Sequence, residues 1–316
     1  MKSREQRVLL YLTGGLGNQL FQYAALESVP YKSSKLVILN HGHPRLNSEG
    51  EPEITSILGD TIKFETLASF SDVLVEKIIG LNLRLSVGKS SKLKTIVRSV
   101  LRLVSNVALS VLSWERVRII VDVEAKPNPL FRNSLLVGYF QVSNYAQVLS
   151  RVVSELPVIQ NPDLIALISK AKEANPLIVH LRRGDYASEK NFGMLDVSYY
   201  QNAFTAFMAS KESSTCKAIW IFSDEIEYAK KVLELGPDFE YEWFSEVGGS
   251  TSTTLMAMSL GSSFIIANST FSWWAAQLST NSPAVYYPRN WFKNLDFNTA
   301  LFPSDWIGIE NGFEQG

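Results

Sequence analysis

Leu177-Ile178-Val179-His180-Leu181-Arg182-Arg183-Gly184-Asp185-Tyr186 carries an apolar run straight into two guanidinium groups and a carboxylate. Bounded by Pro176 and Gly184, the run reads as a buried strand. Arg is costly to bury unless it meets an anion, and its planar fork fits phosphate oxygens. The expected partner is therefore a phosphorylated small molecule in a cleft. Side chains alternate along an extended segment, so one of Arg182 and Arg183 can face that ligand. The other can then pair with Asp185 or with an acidic helix as a structural ion pair. The embedded Arg183-Gly184-Asp185 adhesion tripeptide carries little weight beside a buried strand.

Outward from this stretch, strands at Leu177–Leu181, Ala218–Phe222, Phe264–Ala267 and Ala284–Tyr287 alternate with helices near Ser198–Ser210, Ile226–Leu235, Thr253–Leu260 and Phe271–Leu278. That alternation predicts an α/β fold with a parallel sheet covered on both faces, where ligands sit beyond the carboxyl ends of the strands. Three polar clusters fall at such ends: His180 to Asp185, Ser223-Asp224-Glu225, and Asn268-Ser269-Thr270. Ser269, Thr270 and Ser272 open a helix, so their hydroxyls and the free N–H groups of its first turn are expected to converge on one phosphate, although an N-cap alone explains one of them. Ser223 and Asp224 are candidates for ribose or base, or cap the next helix. Trp273 and Trp274 read as core. Without an Asp-x-Asp anywhere in the chain, cationic side chains and helix termini must carry the charge of a leaving diphosphate. Arg182 takes that role, with Arg183 in support.

The first half opens with a strand at Val8–Leu12, a glycine turn Thr13-Gly14-Gly15-Leu16-Gly17-Asn18-Gln19, and a helix from Leu20. Backbone N–H groups at such a turn point at an anion, but the same turn also serves as a tight connection in any α/β domain. Leu20 stands where a dinucleotide fingerprint needs glycine, and the Lys-Ser/Thr of a phosphate-binding loop is missing, which disfavours a nicotinamide enzyme. Lys35–Leu39 reads as a strand, His41–Glu53 as a loop bordering a cleft, Leu135–Gln141 as strand and turn, and Tyr145–Ser169 as helical. Pro157, Pro162 and Pro176 put a domain boundary between 150 and 175, drawn at 160/161. From Lys92 to Ser113 the apolar residues trace one helical face, with Lys92, Arg98 and Arg102 on the other side. A basic amphipathic helix is a candidate for peripheral membrane contact at a lipid-borne acceptor.

Composition bounds the partners. The 316 residues, 46% hydrophobic, suffice for two cores. With 30 Lys and Arg against 31 Asp and Glu, the net charge gives no support to nucleic-acid binding. Cys216 is the single cysteine and the histidines are His41, His43 and His180. That excludes a disulfide framework within the chain, favours a reducing compartment, and suggests no metal site. The charged start lacks a signal-peptide pattern. The expectation is a cytoplasmic protein, at the inner membrane surface if the basic helix engages lipid.

Gly14-Gly-Leu-Gly-Asn-Gln-Leu-Phe-Gln-Tyr-Ala24, Gly138-Tyr-Phe-Gln141, His180 to Tyr186, Ile221-Phe-Ser-Asp-Glu225 and Asn268-Ser-Thr-Phe-Ser-Trp-Trp-Ala-Ala276 together resemble the α-1,2-fucosyltransferases of glycosyltransferase family 11. The resemblance implies a GT-B arrangement, two Rossmann-like lobes facing across a cleft, with an acceptor-side lobe over 1–160 and a GDP-fucose lobe over 161–316. It implies an inverting transfer from GDP-β-L-fucose, as co-substrate rather than cofactor and without a metal, commonly to O2 of galactose. The acceptor is a galactose-terminated oligosaccharide or a lipid-linked glycan. Carried over by motif, Arg182 contacts the donor diphosphate, and His180, Arg183 and Asp185 complete its motif. Asp224 is a donor-binding carboxylate, with Ser223 beside it, and Ser269, Thr270 and Ser272 lie where the phosphates are met. Gly15, Asn18 and Gln19 form the first lobe's contribution. Arg182 and Asp185 are the catalytic candidates, Asp185 as orienter of an arginine or as base. Glu225 departs from the family's usual Phe-Ser-Asp-Asp. A transferase using another nucleotide sugar, and a non-catalytic glycan or nucleotide binder, share much of this pattern.

Overall fold

Strand β1 (Arg7–Tyr11) runs into the glycine turn and helix α1 (Leu16–Glu27), because the apolar period switches from strand to helix across Gly14. A computed structural model describes residues 7–29, 34–38, 44–65, 77, 81, 92–112, 117–121, 133–154, 161–187, 189, 191–233, 236, 239–281, 283–295, 297 and 299–314. After α1 come β2 (Ser34–Ile38), the short helix α2 (Thr55–Leu58), β3 (Phe64–Glu65), helix α3 (Lys92–Leu112), β4 (Val117–Val121), β5 (Asn133–Val137) and α4 (Ser143–Ser154). The strands form one parallel sheet in the order β3-β2-β1-β5-β4.

The next helix, α5 (Pro162–Ala174), has its limits written into its sequence. Asn161 accepts hydrogen bonds from the backbone N–H groups of Asp163 and Leu164 at 3.0 and 3.2 Å, and Pro162 occupies the first turn. Asn175 closes it in the left-handed region, at φ 48°, which Asn tolerates better than most residues. Pro176 then releases the chain into β6 (Leu177–Leu181), whose five residues are all buried. The chain continues through α6 (Val197–Met208), β7 (Ala218–Ser223), α7 (Ile226–Val232), β8 (Glu240–Phe244), α8 (Thr251–Met258), β9 (Ser263–Ile265), α9 (Thr270–Leu278), β10 (Ala284–Pro288) and β11 (Ile307–Ile309). These strands form a second parallel sheet in the order β11-β10-β9-β6-β7-β8. Its core joins Leu177, Val179, Tyr199, Phe207, Ile219, Ile221 and Ile265. The buried Tyr199 hydroxyl is satisfied by the Ile266 carbonyl at 2.6 Å.

The chain divides into one compact unit over Met1–Val153 with Asn298–Leu301 and another over Ser154–Phe297 with Phe302–Gly316. The single helical stretch expected from Tyr145 to Ser169 is two helices, α4 and α5, with 155–160 outside the described residues. Strands β3, β4, β8 and β11 were not anticipated. In β8, Glu240-Tyr-Glu-Trp-Phe244 alternates charged and aromatic residues and is only half buried, the signature of a sheet edge rather than of a buried parallel strand.

Helix α3 forms as its periodicity predicts, with Ser105 buried. Its apolar residues Leu93, Ile96, Val97, Val100, Leu103, Val104 and Val107 are nevertheless exposed, Leu93 to 72%. The side chains of Lys92, Arg98 and Arg102 lie outside the described set. Among the described residues no helix is long and apolar enough to cross a membrane.

Candidate functional site

In the second sheet the chain moves outward from β6 through β7 to β8, then returns to the opposite side of β6 with β9. Strand order reverses between β6 and β9, and at such a point the diverging connections open a crevice at the carboxyl ends. The three polar clusters follow β9, β6 and β7, which are neighbours in the sheet, so one rim gathers them. Tyr186 ties two of them together by donating its hydroxyl to the Asn268 carbonyl at 2.9 Å.

Asp224 organises the loop after β6. One carboxylate oxygen meets Arg182 Nη1 at 2.9 Å, and the other accepts the backbone N–H of Arg183 at 3.0 Å. Gly184 is required beside it, since a Cβ there would stand 2.5 Å from Asp224 Oδ2. The Arg182 and Asp224 side chains keep about a quarter of their surface exposed, so the guanidinium is oriented yet accessible. It lies 5.8 Å from the centre of the Tyr186 ring.

The two arginines divide as alternation along an extended segment allows. Arg183 is bound within the protein, its Nε 3.1 Å from Glu225 Oε2, its Nη1 on Glu314 Oε1, and its Cζ 3.6 Å from the centre of the Tyr228 ring. Burial pulls the Arg183 pKa down, but Glu314, with Tyr228 and Glu225, more than offsets it and leaves the pKa raised. Its acidic partners are thus Glu225 and Glu314. The side chain of Asp185 lies outside the described set, its backbone forming part of the 3-10 turn Gly184–Ala187.

His180, the penultimate residue of β6, is 6% exposed, with Nδ1 lacking a hydrogen-bond partner. Burial, and then the Arg182 charge, hold its pKa down at about 3. The imidazole is therefore neutral near pH 7 and cannot serve as a cation for phosphate.

At the start of α9, Ser269 accepts the backbone N–H of Phe271 at 3.3 Å, an N-cap bond. Ser272 lies deeper, within the first turn of α9. It is fully buried and donates to the Ala267 and Ser269 carbonyls at 3.3 and 3.1 Å. Thr270 is half-buried. Ser223, nearly buried, accepts the N–H of Glu225 at 3.0 Å. Asn268 is buried and donates to the Gly193 and Trp291 carbonyls, so its sequon is closed to modification. Trp273 and Trp274 lie in the core as expected.

The first sheet has its own order reversal, between β1 and β5. Gln141, beyond β5, donates to Asn18 Oδ1 at 3.1 Å across that point. Gly14 takes φ 78°, and a Cβ there would lie 2.9 Å from Asn18 Nδ2. Gly15 is the N-cap of α1. The anion at this turn belongs to the chain itself: Glu53, buried, accepts the Leu16 N–H at 2.7 Å. Gln19 braces the turn from within. It is fully buried, and its amide bonds Gly14 O at 2.8 Å, Arg45 O at 2.9 Å and Ile54 N at 3.0 Å. The loop over 44–53, expected to border a cleft, folds back onto the glycine turn. Sequence reasoning missed Glu53, Tyr228 and Glu314, all of which act through partners far along the chain.

Comparison with known proteins agrees with the motif reading. The profile described as Glycosyl transferase family 11 matches residues 119–310. The O-antigen biosynthesis glycosyltransferase WbnK of Escherichia coli is 28% identical, covering 94% of this chain and 99% of that protein. An alpha-1,2-colitosyltransferase of Escherichia coli is 27% identical, covering 96% and 99%. Among solved structures, fucosyltransferase NodZ from Bradyrhizobium has a TM-score of 0.45 at 10% identity, covering 87% of this chain and 92% of that one.

Proposed function

We propose, from the premise that this chain belongs to glycosyl transferase family 11, that it moves L-fucose from GDP-β-L-fucose to O2 of a galactose on a glycan acceptor, with inversion and without a metal ion. The observation that carries this reading is the accessible Arg182 guanidinium, oriented by Asp224 at the order reversal of the second sheet. In an inverting displacement positive charge grows on fucose as its bond to phosphate lengthens. Arg182 stabilises the departing oxygens, with help from the N–H groups opening α9 on the same sheet rim. His180, neutral, and the carboxylate of Asp224 line the same rim, while Arg183 holds the loop. Asp185 is the candidate for taking the acceptor proton, or else orients an arginine of the loop. The two parallel-sheet units are read as GT-B lobes, the first for acceptor and the second for donor.

The test is GDP release from GDP-fucose with galactose-terminated oligosaccharides and a chelator, followed by linkage analysis. Expected is chelator-insensitive turnover with an α-1,2 product. GDP binding without release would make the chain a non-catalytic binder. A second reading, favoured by the relative named as a colitosyltransferase, is a different sugar on the donor. A colitose donor turning over well above GDP-fucose would replace the first reading with it.

A lipid-linked acceptor at the inner membrane surface is part of the proposal. Supporting it is α3, whose apolar residues are exposed and whose sequence holds Lys92, Lys94, Arg98 and Arg102 with no acidic residue. Each cation near an anionic surface contributes about 1 kcal/mol. Flotation with anionic vesicles should therefore carry the protein up, and Arg98→Glu with Arg102→Glu should weaken binding at least about tenfold. Protein that stays at the bottom with anionic and neutral vesicles alike removes membrane contact.

A further inference from the structure

Glu314 lies 131 positions from Arg183 and outside every motif, yet its carboxylate meets both the Arg183 guanidinium and the Tyr228 hydroxyl, the latter at 2.8 Å. Its backbone is fixed on both sides. The Glu314 N–H donates to Met194 O at 2.9 Å, and Lys293 Nζ donates to Glu314 O at 3.1 Å. Phe313 pairs with Leu195 in an antiparallel bridge. It also packs so closely on Gly193 that a Cβ there would stand 2.5 Å away. The segment Gly312–Glu314 is thus a rigid strut delivering one carboxylate to the underside of the loop after β6.

That carboxylate is coupled to the partly exposed Arg182. Arg183 is held by Glu314, Glu225 and the Tyr228 ring, and its backbone N–H is held by Asp224, whose other oxygen orients Arg182. A guanidinium clamped from below sets the peptide between the two arginines, and that peptide sets where Arg182 points. We infer that Glu314 is a positioning residue for the donor site, acting on the diphosphate only through Arg183 and the direction of Arg182. This rests on the transferase reading and adds to it a residue that touches no substrate.

The test uses full-length Glu314→Ala and Glu314→Gln, alone and combined with Arg182→Ala. Because Glu314 works through Arg182, its effect should be non-additive. Glu314→Ala should weaken GDP affinity about tenfold in the wild-type background and less than about twofold when Arg182 is already alanine. Glu314→Gln keeps an acceptor oxygen for Tyr228 and Arg183 and should fall between. Amide exchange of residues 182–187 without ligand should quicken in Glu314→Ala, a readout that stands whatever the donor is. A wild-type protein that ignores GDP sinks the transferase reading, while exchange still judges the strut. Equal losses in both backgrounds, or unchanged exchange, would overturn the inference.

Discussion

Arg182→Ala is expected to lower fucosyl transfer by on the order of 10²- to 10³-fold, the usual cost of losing one oriented donor to a developing negative charge. The protein should stay folded. The pair with Asp224 is partly exposed, where such ion pairs contribute about 1 kcal/mol or less. Asp224 also keeps its bond to the Arg183 backbone, and the Arg183 pairs with Glu225 and Glu314 remain, so the loop stays anchored. The loss should fall on kcat and on diphosphate affinity together. Arg182→Lys restores charge without the planar fork and should recover only part of the rate, because lysine cannot bridge a carboxylate and a phosphate in one plane. A second signature follows from the site's electrostatics. The Arg182 charge helps to depress the His180 pKa, so the alanine variant should show a higher one by NMR titration. Turnover of Arg182→Ala within about threefold of wild type would remove the residue from the mechanism.

What could be read before folding, and what could not, divides by sequence distance. The polar clusters at strand ends were legible because a parallel sheet puts every carboxyl end on one edge, so local pattern alone implied a shared rim. The adjacency of β9 and β6 was not, since it depends on a pairing between segments more than eighty residues apart. Arg182 and Arg183 show the same limit on a smaller scale. Alternation said that one could bind outward and one inward, but Glu225 and Glu314 as the inward partners emerge only when β7 and the Gly312–Glu314 segment are in place. The bonds of Gln19 and Glu53 were hidden for a related reason. A glycine turn at a helix start advertises an anion site, and nothing local reveals that a carboxylate 37 residues ahead already occupies the Leu16 N–H. The direction of the Ser272 hydroxyl was not legible, because a hydroxyl in a first helical turn can turn outward or inward to a carbonyl, and the depth of α9 turns it to the Ala267 and Ser269 carbonyls. The helix α3 inverts the usual lesson. Its periodicity was plain, yet its apolar face is exposed, so amphipathicity identified the element without saying what it packs on.

His180 yields the other large effect. Its folded pKa of about 3 lies below the ordinary 6.5, through burial first and the Arg182 charge second. The unfolded chain therefore binds a proton that the folded chain refuses. The stability tied to this residue is fully present above pH 6.5 and drains away as pH falls toward 3. The slope is about 1.4 kcal/mol per pH unit, so roughly 2 kcal/mol should be lost between pH 6.5 and 5, before most carboxylates titrate. Six of the seven tryptophans belong to the second unit, so urea unfolding followed by tryptophan fluorescence reports on the right part of the chain. His180→Asn, which cannot titrate, should flatten the dependence over that window even if its stability at pH 7.5 is lower. The same depressed pKa forbids a limb near pH 6 to 7 from His180 in the rate profile, because an imidazole this reluctant to take a proton is a poor base. A wild-type stability that holds level from pH 6.5 to 5, or a variant that declines in parallel with it, would mean that His180 protonates freely in the folded protein. The buried, neutral wall assigned to the donor rim would then have to be redrawn.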